Sequence, residues 1–256
     1  MKKALFILFI LFALVGCEKE VDDTGTVCTS DCTTISGHII TSDKVPLKGV
    51  KLQIKYLEQG FGYYHSWLKR EATTDANGYY SMSFNVKDNE VEKFEGYSSS
   101  YFELQVDLNN LDPNKYFLPE QVSETNTSYS LNSIISLKRK TEYTESLYIP
   151  TKDYITVTLK NFQPIKAGDH FEVQTFFPWG AKSDEKKILN TEYGINFSGY
   201  DLFVAKSESQ TFRNVPVALN DTNIVRIVKV KNGVAIPEDH KIFVPKDNNI
   251  EFTFEY

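Results

Sequence analysis

The chain has 256 residues, 41% of them hydrophobic and 14% aromatic, and a formal net charge of −6. That length suffices for two domains of common size or one large β domain. The acidic balance repels phosphate, so neither nucleic acid nor anionic lipid is an expected partner.

The N-terminus reads as an address. Lys2 and Lys3 precede an apolar run from Ala4 to Val15, and Leu14-Val15-Gly16-Cys17 closes it with small residues before a cysteine. This is the pattern of a secretory signal peptide over residues 1–16, too short and wrongly flanked to span a membrane. Its ending resembles the lipobox of bacterial lipoproteins. That resemblance implies cleavage before Cys17, lipid on its sulfur and its amine, and a membrane contact made through this anchor. Loss of Lys2 and Lys3 with the leader takes the formal charge from −6, less two positive charges, to −8.

Residues 17–33 form the next segment. Glu18 to Thr26 is polar and acidic, cannot bury enough apolar surface to fold, and reads as a tether. An acidic cluster directly after the lipidated cysteine resembles the export signal that sends Bacteroidetes lipoproteins to the outer face of the outer membrane, which implies surface display, the alternative being a periplasm-facing anchor. Cys28 and Cys32 are a candidate disulfide in an oxidising compartment. The alternative is a metal site, but no histidine or further cysteine lies near in sequence, and no metal or cofactor is expected.

From Ile35 onward apolar residues recur at every second position, the mark of strands with one buried face. Val50, Leu52, Ile54 and Tyr56 alternate with Lys51, Gln53 and Lys55. The pattern returns at Tyr80, Met82 and Phe84, at Phe102, Leu104, Val106 and Leu108, at Ile155, Val157 and Leu159, at Phe171, Val173 and Phe177, and at Ile250, Phe252, Phe254 and Tyr256. No stretch of ten residues carries a helical stripe; Asp184 to Asn190 offers at most a turn or two. The expected class is all-β, two antiparallel β-sandwich domains over 34–150 and 151–256, with the boundary near Pro150. In the second half Pro150 and Pro164 bracket the first strand, and Pro216, Pro237 and Pro245 are expected at turns.

Turn residues sharpen the first half. Asp75-Ala76-Asn77-Gly78, between Thr73-Thr74 and Tyr79-Tyr80, reads as a tight hairpin. Upstream, Gly37-His38-Ile39-Ile40 leads through Pro46-Leu47-Lys48-Gly49-Val50 into a strand. Together Gly37, Pro46, Leu47, Gly49, Val50, Thr73, Thr74, Asp75, Asn77, Gly78 and Tyr80 resemble the carboxypeptidase regulatory-like domain, a transthyretin-like sandwich. The likeness covers about the first half of the mature chain and implies fold rather than activity. A long insert from Leu57 to Arg70 departs from it and reads as an extended hairpin. The second half resembles no family by its motifs, and its reading is an immunoglobulin-like or transthyretin-like sandwich.

No catalytic residues are expected. The hydroxyisourate hydrolases that share this fold end in Tyr-Arg-Gly-Ser, whereas this chain ends in Glu255-Tyr256, and His38, His65, His170 and His240 are solitary in sequence. Ser66-Trp67-Leu68-Lys69 and Ser183-Asp184-Glu185-Lys186 spell the Ser-x-x-Lys of penicillin-recognising enzymes without the accompanying motifs, and are read as chance. The strongest binding signal is aromatic. Phe61, Tyr63, Tyr64 and Trp67 form one cluster, Phe176 and Trp179 lie in a second, and either could stack on the apolar faces of sugars. The competing role is filling the core or sealing a seam between domains, with at least one ring per cluster left partly exposed.

Three functions are compatible with these features, in order of preference. The first is a non-catalytic surface lipoprotein that binds a glycan, protein or envelope partner. The second is a structural subunit like the fimbrillins, although the first arginine after the leader, Arg70, comes too late for removal of a first strand by an arginine-directed protease. The third is a hydrolase, which a polar cleft with paired titratable groups would revive.

Overall fold

The computed structural model describes residues 28–91, 94–95, 98–107, 111–117, 128–134, 137–183, 188–197, 202–246 and 249–256. The leader, Cys17, the acidic tether, Leu108 and residues 184–187 lie outside the described residues. Along the chain the strands are β1 (Thr33–Ile40), β2 (Lys51–Gly60), β3 (Tyr63–Thr73), β4 (Tyr79–Phe84), β5 (Phe94–Glu95), β6 (Ser98–Asp107), β7 (Ser128–Ile134) and β8 (Glu142–Thr144). They continue as β9 (Leu147–Tyr148), β10 (Lys152–Lys160), β11 (His170–Lys182), β12 (Tyr193–Phe197), β13 (Gln210–Ala218), β14 (Asp221–Lys231), β15 (Val234–Val244) and β16 (Glu251–Glu255). Helix is confined to 3₁₀ turns at Ser42–Lys44 and Asp88–Glu90 among the described residues.

The chain is all-β and packs as sandwiches. β3, β2, β6 and β5, with β7 on β6, face β4, β1, β8 and β9 across a first core. β13, β10 and β16 face β11, β12, β14 and β15 across a second. Alternation builds both: Leu52, Ile54, Leu104 and Val106 are fully buried in the first, and Val157, Leu159, Val215 and Ile227 in the second. Most ladders are antiparallel, but β1 pairs in parallel with β8 and with β9, and β10 with β16. β11 departs from alternation, with Phe171 to Pro178 buried without interruption. On its outer side Gln174 Nε2 donates to Glu172 Oε1 at 2.7 Å, so these two buried polar groups satisfy one another.

The motif residues of the first half are explained by contacts between chain segments distant in sequence. Thr74 Oγ1 donates to the Leu47 carbonyl at 2.6 Å and accepts from the Val50 amide at 2.9 Å, so one hydroxyl ties the Pro46–Val50 turn to the Thr-Thr-Asp loop. A Cβ on Gly37 would stand 1.8 Å from the Glu145 carbonyl oxygen, because the segment between β8 and β9 runs alongside β1 and presses against it there. Tyr80 Oη donates to that same carbonyl at 2.8 Å.

Asp75–Gly78 is not a hairpin. β3 pairs with β2 and β4 with β1, so this turn carries the chain from one sheet to the other. Asp75 Oδ1 accepts from the amides of Asn77 and Tyr79 at 2.8 and 2.9 Å, while Gly78 sits at φ +70° with no room for a side chain beside the Ile39 carbonyl. Those contacts press the turn onto β1 and prevent β4 from folding back on β3. The insert does extend a hairpin, β2–β3, closed by Phe61-Gly62 with Gly62 at φ +82°.

Two prolines expected at turns lie inside strands instead. Pro216 is in β13 and Pro237 in β15, the outermost strands of their sheets, where one side of the backbone needs no partner and a missing N–H costs little. A bulge in β3 opposite Ile54/Lys55 turns Lys69 inward, where its Nζ meets buried Glu90 Oε1 at 2.7 Å. Thr33, at the end of the segment read as tether, opens β1 and is fully buried. Just before it, Cys28 and Cys32 are joined by a disulfide with a Cα–Cα distance of 5.8 Å.

The crowding at Gly37 predicts that Gly37→Ala lowers unfolding stability by about 3 kcal/mol, the cost of forcing a methyl into closed backbone. Gly49→Ala, at φ +81° but with nothing within 4 Å, should lose about 1 kcal/mol. Urea midpoints of the two variants measure the difference, and equal losses would contradict the close approach of the segment after β8 to Gly37.

Candidate binding site

The sandwiches meet where β9 is shared. Leu147 and Tyr148 pair in parallel with Ile39 and Ile40 of β1, and antiparallel with Ala181 and Gly180 of β11. This two-residue strand makes one eight-stranded sheet run through both units. Further bonds surround it: Thr41 Oγ1 and Thr151 Oγ1 are 3.0 Å apart, the Leu219 amide donates to Thr151 at 2.8 Å, and the Lys182 amide to Ser146 at 3.2 Å.

A cleft of about 410 Å³ opens beside this junction. Its walls come from the 3₁₀ turn after β1 (Asp43, Lys44), from β9 (Tyr148), from β11 and β12 with the segment between them (Lys182, Asn190, Glu192, Tyr193) and from the β13–β14 turn (Asn220, Asp221). Asn220 Nδ2 donates to Asp43 Oδ2 at 2.7 Å and Asn220 Oδ1 accepts from the Lys246 amide at 2.9 Å, so one side chain clamps the two units at the rim. Fully buried Asn223 shapes that turn, accepting from the Ala218 amide at 2.7 Å and donating to the Ala218 carbonyl at 2.9 Å. Asp43 and Lys44 both adopt left-handed backbone, at φ 60° and 57°. For side-chain-bearing residues that conformation costs on the order of 1 kcal/mol each, and such strain concentrates at functional rims.

Electrostatics distinguish the floor from the rim. The Tyr148 hydroxyl donates to Asp221 Oδ2, and Asp221 Oδ1 accepts from the Thr222 amide at 2.7 Å. Burial raises the Asp221 carboxyl above the ordinary carboxylate range, with the Tyr148 and Thr222 bonds pulling against it and the nearby Asp43 charge adding to it. Burial likewise pushes the Tyr148 phenol up, reinforced by its bond to Asp221. Nearer solvent, Lys182 Nζ meets Glu192 Oε2 at 2.8 Å, which raises the lysine, and lies 6.0 Å from the centre of the Tyr193 ring. Tyr193 stacks on Tyr148, with centroids 5.1 Å apart and planes 27° from parallel.

The aromatic residues singled out from sequence separate into different roles. Phe176 is buried with Leu189 and Ile224, under the Arg226 guanidinium at 4.8 Å. Trp179 Nε1 donates to the Phe117 carbonyl at 3.2 Å, while neighbouring Phe177 stacks on the Phe117 ring at 4.4 Å. Phe176 and Trp179 therefore fill a small core and seal the seam rather than present a ligand-stacking face, because Phe176 is enclosed by Leu189, Ile224 and Arg226 and Trp179 is tied to Phe117. The first cluster stands at the opposite end of the first sandwich: Phe61, Tyr63 and Tyr64 are exposed at the β2–β3 tip, and Trp67 packs partly buried against the core. It contributes nothing to the cleft. Among the described residues no group of three His, Cys, Asp or Glu side chains is placed to hold a metal ion. Tyr148, Tyr193, Asp43, Asn220 and Asp221 carry no sequence signal, since they meet only through contacts such as Asp43–Asn220, 177 residues apart.

No protein-family model matches this chain, and no curated protein matches it. Among solved structures it is similar to the Bacillus anthracis TIE protein, at 11% identity over 88% of this chain and 33% of that one, with a TM-score of 0.25. It is similar also to a streptococcal ancillary pilin (11% identity, 88% and 62% covered, TM-score 0.28). A third is a candidate cell-adhesion protein from Bacteroides uniformis ATCC 8492 (10% identity, 84% and 99% covered, TM-score 0.25). The chain thus spans a third of the length of the first and about three fifths of the second. At these TM-scores the likenesses carry no argument, and function has to be read from the chain's own residues.

The raised Asp221 carboxyl sets a pH dependence with a definite sign. A carboxyl whose folded pKa exceeds its unfolded value favours the fold while protonated, and that contribution is lost as pH rises through the folded pKa. The stability of the native chain relative to Asp221→Asn should therefore fall as pH rises from below the ordinary carboxylate range to neutrality. Urea titrations across that range measure it, and a difference that grows with pH would contradict the burial of Asp221.

Proposed function

We propose that the chain is a non-catalytic lipoprotein, anchored in the outer membrane through Cys17 and displayed on the cell surface. Its carboxypeptidase regulatory-like sandwich extends to about Pro150, a second sandwich follows, and their junction cleft holds a neutral, polyhydroxylated ligand such as a glycan unit. The observation that carries this reading is the cleft itself, in which amides, carboxylates, lysines and two tyrosines face one space. Lys44 and Lys182 set against Asp43, Asp221 and Glu192 leave it one charge negative, a mixture suited to hydroxyl groups that both donate and accept.

Binding fits the cleft better than hydrolysis. Each carboxylate lining it is already engaged: Asp43 at the rim by Asn220, Glu192 by Lys182, and Asp221 on the floor by Tyr148 and the Thr222 amide. An acid and a base free to exchange protons with a substrate need the opposite arrangement. Edge-to-edge assembly is also disfavoured at β15, where Pro237 interrupts the row of donors that a second strand would use.

The test is a screen of neutral oligosaccharides over the immobilised mature chain, repeated with Tyr193→Ala and with Asp43→Ala. Both variants should bind the captured sugar at least tenfold more weakly, the loss of about 1.4 kcal/mol expected for one good contact. Capture that ignores both substitutions would place the ligand outside the cleft, and capture of no sugar would leave a protein partner as the better reading.

A further inference from the structure

We infer that the β2–β3 hairpin tip is a lipid-docking element: Phe61 seats at the headgroup–acyl boundary of the leaflet that carries the anchor, with Tyr63 and Tyr64 at headgroup level. The inference rests on the proposal that the chain is a lipoprotein anchored at Cys17.

The first observation is exposure. Phe61 is 98% exposed, Tyr64 59% and Tyr63 39%, on a turn of two residues that leaves the phenylalanine no core to enter. Gln59 to Tyr64 contains no charge, and the Gln59 amide is turned sideways to Ser99 Oγ at 3.1 Å. An apolar ring flanked by amphipathic phenols reproduces the gradient of a membrane interface. The nearest carboxylate and amide, Glu58 and Gln59, lie back on β2 opposite Ser100 and Ser99, so the tip from Gly60 to Tyr64 presents rings and no charge.

The second observation is position. Leu47 bonds to Ile39 and Val50 to Thr74, so β2 starts beside the end of β1 and runs back toward the start of β1. Tyr56, five residues before Phe61, is already level with Asn89, whose carbonyl its hydroxyl reaches at 3.4 Å, beyond the last residue of β4. Cys28 lies at the same pole, its Sγ 2.9 Å from Asn85 Oδ1. The tip and the point from which the chain runs toward Cys17 thus share one end of the first sandwich, away from the junction. Cys28 lies eleven positions beyond Cys17, a span of at most about 40 Å fully extended, so the anchor holds this pole near the bilayer.

The third is stiffness. A run of rings links the tip to the core, Tyr63–His65–Trp67–Tyr56–Phe102, with successive centroids 5.5, 5.6, 5.4 and 5.3 Å apart. One phenylalanine binds bilayers weakly from solution, but on a tethered protein the contact is intramolecular, and a pre-ordered tip is then enough to set orientation.

The test uses the full lipidated chain, native and Phe61→Trp, in phosphatidylcholine vesicles with and without brominated acyl chains. The native chain supplies the background of Trp67 and Trp179. The emission added by Phe61→Trp should be blue-shifted and lose at least half its intensity to the brominated lipid. If the chain floats with the vesicles while that emission stays at its value in water and unquenched, the tip faces solvent and the inference is overturned with the anchor intact. If the chain does not float, the lipoprotein reading fails and the inference falls with it.

Discussion

Everything in this fold beyond two separate sandwiches depends on the double pairing of Leu147 and Tyr148. A strand of two residues is too short to be stable alone, and it forms because both of its edges are occupied, by β1 on one side and β11 on the other. Leu147, Tyr148 and Ile149 are buried there, and the Ile149 amide continues the pairing to the Ile40 carbonyl at 3.0 Å. Each such backbone bond contributes about 1 kcal/mol net, but opening the junction would leave several donors and acceptors of β1 and β11 without partners at once. The seam is then closed from outside β9 by Phe117 on Phe177 and by Asn220 on Asp43.

Shared pairing converts side chains of two units into one surface. Tyr148 belongs to the shared strand and touches Ser42 of the first unit and Asp221 of the second, at 3.4 Å to Ser42 Oγ. A cleft built this way keeps its shape before a ligand arrives, which lowers the ordering cost of binding. The molecule also acquires a polarity. One pole of the first sandwich carries the disulfide, the chain toward Cys17 and the aromatic tip, and the other carries the cleft. The proposed anchor, at the first pole, would direct the cleft away from the bilayer.

Period-two patterning suffices to read the strands, because burial of one face leaves a signature within each segment, as in Val50 to Tyr56 and Ile155 to Leu159. The motif residues point to the first fold without revealing their reasons. Gly37 is small because of Glu145, and Thr74 is hydroxylated because of Leu47 and Val50. Asn77-Gly78 reads as a hairpin and is not one, since turn chemistry reports a reversal and not which sheet receives it. A hairpin with the same dipeptide does occur at Asn232-Gly233 between β14 and β15, where both residues adopt positive φ as such a turn requires. β9 is too short to carry a pattern, and the cleft draws on residues at 43–44, 148, 182, 190–193 and 220–221 whose meeting no local signal encodes.

That the two sandwiches form one rigid body around β9 is tested most directly by a spin-label distance measurement between exposed positions Lys51 on β2 and Glu251 on β16. Pairing through a shared strand predicts a single narrow distribution, unchanged by modest urea below the unfolding transition. A broad or two-peaked distribution in native buffer would mean that the units swing freely, and would contradict both the shared strand and the preformed cleft.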